Sequence, residues 1–200
     1  MTDQYRKIMQ DNLTTLFSAL PPDLEARTGA RNTPDGWVLD AFGDPCRITP
    51  EEIFLGPEPV SGVLGILISL YALNAVAEAV QMEPFKAFKE FPNSMPYVGA
   101  FASHTEAVLV PRVERIRQQA ESIAGSLGGH LPGKPLAGDF SMVLHPLPKI
   151  ALNYVFYLAD EDFPASAVCL YSNNANRFLP MDALADVGEY TSKKILDLVG

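Results

Sequence analysis

The chain has 200 residues, with 48% apolar, 20% charged and 10% aromatic residues, and a net charge of −9 from 15 Lys+Arg against 24 Asp+Glu. A chain of this length buries roughly 70% of its unfolded surface, so it needs no disulfide or metal staple to fold, and it reads as a single domain over 1–200. This composition excludes a disordered tail, a collagen-like rod, a disulfide miniprotein and a protein drawn electrostatically to nucleic acid or anionic lipid.

The N-terminal residues have no apolar stretch like that of a secretory signal, and the expected location is the cytoplasm. Residues 5–18 carry Ile8, Leu13, Leu16 and Phe17 largely at helical spacing, and Pro21-Pro22 closes that element. A short helix is expected over Asp23 to Arg27, stopped by Gly29. The runs Gly36–Phe42 and Cys46–Ile48, on either side of Gly43-Asp44-Pro45, read as a hairpin. Thr49-Pro50-Glu51-Glu52 has the pattern of a helix start. Thr49 is its N-cap, Pro50 its first helical residue and Glu52 the return partner of a capping box.

From Val60 to Val80 the chain is strongly apolar. Its uninterrupted run is about half of the ~20 residues that span a bilayer, and Asn74 and Glu78 interrupt the rest. A helix over 60–81 buried on all sides of a core is expected, with Gly62, Gly65 and Ser69 admitting close neighbours. Phe85, Phe88 and Phe91 read as core anchors between Lys86 and Lys89. Pro96 opens a further helix that Pro111 breaks or kinks. Over 111–127, Val113, Ile116, Ala120, Ile123 and Leu127 form one apolar stripe, ended by Gly128-Gly129.

The register then changes to period two in three runs, beginning at Phe140, Ile150 and Ala167. Short connections favour an antiparallel meander. A closing helix carries Leu184, Val187, Ile195 and Leu198, with Asp182 near its start. The fold expectation is α+β: an antiparallel meander, a helical N-terminal half packed on one face, and a C-terminal helix.

Familiar chemical motifs fail on inspection. Gly128 to Lys134 matches the first seven positions of a phosphate-binding loop. Pro135 then stands where the metal-binding hydroxyl belongs, and the loop follows a helix rather than a strand. His104-Thr105-Glu106 has the His-x-Glu form of zinc deaminases without their downstream cysteines. Cys46 and Cys169 make no disulfide framework or metal knuckle, and no metal site is expected. Asp160-Glu161-Asp162 reads as a solvated loop, with Phe163 folding back onto the core. No catalytic residue can be named.

The most suggestive group is the less apolar face of the meander. Period-two counting puts Ser141 and His145 on one side of the first strand and Asn153 and Tyr157 on one side of the second. Asp139 and Arg177 flank these runs. Polar groups that converge on a sheet face can line a small-molecule pocket, so Asp139, His145, Asn153, Tyr157 and Arg177 are the candidate ligand contacts. An enzyme that uses Asp139 and His145 for proton transfer is an alternative. The two lie at opposite ends of one strand, about 20 Å apart at ~3.3 Å per residue, so each would need another partner. A third reading is an interaction module docking through Arg112, Arg115 and Arg117 of the 111–127 helix, in the one net-positive stretch. The expected partner is a small molecule, not nucleic acid or membrane, with a homodimer left open.

Five stretches in order resemble a bacterial and archaeal family known as domain of unknown function 3786: Arg27-Thr28-Gly29-Ala30; Ile68-Ser69-Leu70-Tyr71-Ala72-Leu73; Phe88-Lys89-Glu90-Phe91-Pro92 with Tyr97 and Phe101; Gly138-Asp139 with Leu147-Pro148; and Asp160-Glu161-Asp162-Phe163-Pro164 with Phe178-Leu179. The resemblance spans about residues 25–198. It implies a compact domain found mainly in anaerobes, and an association with corrinoid or iron–sulfur one-carbon metabolism. The family brings no catalytic residues, and the cofactor is unknown. The function expectation is a cytoplasmic accessory protein that binds a small ligand or cofactor.

Overall fold

A computed structural model describes every residue except Met1, Ser61, Pro135 and Leu136, and the side chains of Thr2 and Asp3 are also outside the description. The class is α+β, with two antiparallel sheets. Strands β1 (Arg31–Thr33), β2 (Gly36–Ala41), β3 (Asp44–Ile48), β4 (Ile53–Leu55) and β5 (Glu58–Pro59) form a five-stranded meander. Strands β6 (Lys86–Ala87), β7 (Phe140–Leu147), β8 (Ile150–Tyr157) and β9 (Ser166–Tyr171) form the second sheet, in the order β6-β9-β8-β7. The helices are α1 (Thr2–Ser18), α2 (Leu24–Thr28), α3 (Val63–Asn74), α4 (Val98–Phe101), α5 (Val113–Ser126) and α6 (Met181–Val199).

The expected hairpin is β2–β3. Its two-residue turn is Phe42-Gly43, with φ of +52° and +87°, and Asp44 and Pro45 belong to the strand. A left-handed phenylalanine is strained, and tertiary contacts hold it. The Phe42 N–H donates to Pro146 O at 2.8 Å, and the ring packs edge-on against Tyr190 with centroids 5.0 Å apart.

Thr49–Glu52 starts no helix. The Glu52 N–H does donate to Thr49 Oγ1 at 3.0 Å, as a cap predicts, but the Thr49 N–H donates to Glu52 O and the chain turns back as β4. Ile53, Phe54 and Leu55 then pair with Ile48, Arg47 and Cys46. β-branched and aromatic side chains with a strand to pair against outweigh a local capping preference.

Helix α3 occupies the expected apolar segment but ends at Asn74, and no helix of the described residues is long and apolar enough to cross a membrane. Gly65 is where α1 meets it, since a Cβ there would lie 2.6 Å from Met9 Sδ. Ser69 Oγ accepts from Asn12 Nδ2 at 3.0 Å. After Asn74 the backbone finds partners outside a helix: Glu78 O accepts from Lys149 Nζ, Ala79 O from Asn174 Nδ2, and the Gln81 N–H donates to Asn174 Oδ1.

The second sheet confirms the three-strand meander and adds β6 at its edge. Met142, Leu144, Leu152, Tyr154, Phe156, Cys169 and Tyr171 are fully buried and point to the main core. Helix α6 lies against them, with Tyr154 Oη donating to Gly188 O and Tyr171 Oη to Leu184 O. A bulge interrupts β7 between Leu144 and Leu147, where Pro146 has no N–H to give the ladder. The whole expected stripe is buried, from Val113 in α5 to Leu127 at its C-cap, and Gly128 follows at φ +66°.

Candidate functional site

The five sheet-face candidates do not converge on one place. Asp139 and Tyr157 come together, lining a cavity of about 520 Å³ with Leu158, Asp160, Phe163, Pro164 and Ser166. Asp139 Oδ2 accepts the Leu158 N–H at 2.7 Å, which ties the ends of β7 and β8. His145 lies on the β7 bulge and lines a different cavity, of about 270 Å³, with Asp40, Gly43, Gly125, Gly128 and Pro148. Burial, and then the charge of His130, hold its imidazole below the usual range. Arg177 is on an exposed turn, where its Nη2 pairs with Glu78 Oε1 at 2.7 Å. Asn153 is buried at the centre of β8.

The sheet face expected to be wet is therefore dry at its middle. Ser141, Val143, Asn153 and Val155 are buried, and Ser141 Oγ and Asn153 Oδ1 have no partner among the described residues. Gly138, two residues before β7, lies close against these strands. A Cβ on Gly138 would come within 2.6 Å of Phe156 O and 2.7 Å of Val155 Cγ1. Phe163 does not fold back onto the core. Asp160 Oδ1 accepts the N–H groups of Asp162 and Phe163, and this tight turn leaves the Phe163 ring 70% exposed.

The arginines of the basic helix are partly engaged. Arg115 donates to Gly200 O at 2.8 Å and Arg117 pairs with Glu114 at 3.0 Å.

A more concentrated chemistry lies at the β6 edge of the second sheet. Here β6 leads into a 3-10 turn, Phe88–Glu90. Glu90 Oε2 accepts the Ala87 N–H at 2.6 Å, a bond that closes the turn and leaves Lys89 exposed beside it. Helix α4 continues into a π-helical turn, Ala102–Glu106, and then a 3-10 stretch containing Pro111. Pro111 cannot donate to the carbonyl four residues earlier, so a regular α-helix cannot run through this stretch. π-turns are uncommon and concentrate at functional sites. This one turns Thr105 toward α6, where Thr105 O accepts from Ser192 Oγ, and Glu106 toward the edge of β9.

Strand β6 pairs with β9 only at Tyr171 and Leu170. The next outward-facing N–H, that of Cys169, would be orphaned, and Glu106 Oε1 accepts it at 3.0 Å. The carboxylate thus completes a sheet edge, while its second oxygen has no hydrogen-bond partner among the described residues. Around it is a cavity of about 320 Å³ walled by Phe88, Val98, Phe101, Ala102 and Val168, with Lys89 also on its lining. Phe88 and Phe101 stack at 4.5 Å, and Tyr171 packs against both. Burial pushes the Glu106 carboxyl up, and the Cys169 N–H and then the Lys89 charge pull against that rise. Burial, and then the charge of Glu106, push the Cys169 thiol up, so it is a proton-bearing core residue rather than a nucleophile.

A carboxyl group raised by burial binds its proton more tightly in the folded than in the unfolded state. Its cost is absent below the unfolded carboxylate range and grows as the pH rises through and above it. Glu106→Gln keeps an oxygen for the Cys169 N–H and removes the charge. The variant is expected to match the native protein near pH 4 and to unfold at a higher temperature near pH 8. Equal midpoints at both values would show that the carboxylate bears no folding cost.

The sequence pattern brought Glu106 forward only as half of a zinc motif. Its partner His104 faces away, with Nδ1 3.2 Å from Glu189 Oε2. Among the described residues no three His, Cys, Asp or Glu side chains gather as a metal site requires. The available signal was a lone Glu106 next to Phe101, Thr105 and Leu109, the buried positions of a helical repeat.

The chain matches the model of the family described as "Domain of unknown function (DUF3786)" over residues 21–194, and it belongs to that family. No curated protein and no solved structure matches it.

Proposed function

We propose that this member of the family is a binding protein for a small organic ligand, and that the ligand occupies the cavity between the Phe88–Glu90 turn and the π-helical turn. The observation that carries the reading is Glu106, a half-buried carboxylate with one oxygen fixed by the sheet edge and the other without a hydrogen-bond partner among the described residues, inside a wall of aromatic and aliphatic side chains. Ligand sites combine such walls with a few placed polar groups, and ionisable side chains perturbed by burial concentrate in them. At about 320 Å³ the cavity is at the small end of such sites and favours a one-ring or branched-chain compound over a corrinoid macrocycle.

Ala102 is exposed on the cavity lining, so Ala102→Trp fills the space without disturbing the core. In a thermal-shift screen of small polar–apolar compounds, several are expected to raise the native midpoint and to lose that effect in the Ala102→Trp protein. A screen without hits, or hits that survive the tryptophan, would refute the proposal.

A further inference from the structure

Lys89 and Glu106 line the same cavity with opposite charges, and neither forms an ion pair with the other or with any described residue. Lys89 comes from the turn after β6 and Glu106 from the end of the π-helical turn, so the charges are presented from two separate elements. The rest of the lining is apolar: Ala87, Phe88, Val98, Phe101, Ala102 and Val168.

Such a pair discriminates by charge. A simple organic cation would be drawn to Glu106 and repelled by Lys89, and a simple anion would meet the reverse. An uncharged compound would cover the Glu106 carboxylate without replacing the water it lost, which is costly for a charged group. A ligand with one cationic and one anionic group on an apolar body satisfies both ends and fills the wall.

We propose that the cavity takes a small zwitterion with an apolar body, an aliphatic or aromatic α-amino acid in its charge layout, with its ammonium on Glu106, its carboxylate on Lys89 and its side chain against Phe88 and Phe101. This assignment rests on the cavity's being the ligand site and adds the chemical class of the ligand. Charge-assisted hydrogen bonds at both ends give the selectivity, and the hydrophobic wall ranks side chains by size and shape, with weak discrimination per methylene.

Four compounds of one shape test it by titration calorimetry: L-leucine, isopentylamine, 4-methylpentanoate and 3-methyl-1-butanol. L-Leucine is expected to bind at least about tenfold more tightly than the amine or the acid, since each lacks one charge-assisted contact. Lys89→Met is expected to bring L-leucine down to the level of the amine, and Glu106→Gln to bring it down to the level of the acid, with both variants folded by circular dichroism. If the amine or the acid binds the native protein as well as L-leucine does, the zwitterion assignment falls and the ligand cavity stands. The same holds if only the alcohol binds. If none of the four binds and the wider screen is also empty, both fall.

Discussion

Gly43→Ala is expected to destabilise the protein by about 3 kcal/mol, a drop in midpoint of roughly 10 °C for a chain of this length. Two costs combine. Gly43 has φ +87°, a conformation that any residue with a Cβ adopts with strain. An added Cβ would also lie 2.1 Å from Ser126 O and 3.3 Å from Leu127 Cα, which is backbone at the end of α5 and cannot swing aside. The β2–β3 turn is thus wedged against α5 and, through the Phe42 N–H, against the β7 bulge at Pro146. Gly56→Ala is the control. Gly56 has φ +60° and nothing within 4 Å of its would-be Cβ, so it bears only the conformational cost, about 1 kcal/mol. Thermal or urea unfolding of both variants separates the terms, and equal losses would show that the contact with Ser126 is not tight.

That turn also shows how far local patterns reach. The sequence placed a hairpin there and centred it on Gly43-Asp44-Pro45. The chain turns one residue earlier because Phe42, an unfavourable left-handed residue, gains a buried ring against Tyr190 and a hydrogen bond to Pro146, both more than 100 residues away. Thr49–Glu52 makes the same point in reverse, since its capping bond forms but the next three residues pair as a strand. Elements whose signal is periodic burial, such as the stripe of α5 and the alternation in β7 and β8, were legible because the sequence itself records which side is apolar. The sheet-face site was less so. Alternation correctly put Ser141 and Asn153 on one side, but it cannot show that Gly138, two residues before β7, packs against that side. Glu106 was hidden for a related reason: its role depends on β6 ending one pairing short of Cys169, a fact of register that no local pattern carries.

Tyr71→Phe is expected to cost about 2–4 kcal/mol although it removes a single oxygen. Tyr71 is fully buried on α3. Its hydroxyl donates to Thr28 O at 2.6 Å and accepts the Lys149 N–H at 3.1 Å. One atom therefore joins three parts of the fold: the end of α2, the apolar helix α3, and the turn between β7 and β8. Phenylalanine fills the same space, so no cavity opens. What remains is a carbonyl and an N–H without partners. Each such group costs about 1–3 kcal/mol when water cannot reach it, and the N–H of the half-buried Lys149 lies at the low end, about 1 kcal/mol. Burial drives the Tyr71 hydroxyl pKa well up, so the bonds are made by the neutral phenol. Tyr157→Phe provides the comparison. Its ring is 39% exposed and it has no hydrogen bond to a described residue, so its loss is expected within about 0.5 kcal/mol. The two variants differ from their parents by the same atom, so the gap between their unfolding free energies measures the linkage through Tyr71. A gap under about 1 kcal/mol would mean that Thr28 and Lys149 find other partners, and that α3 is held to the second sheet by packing alone.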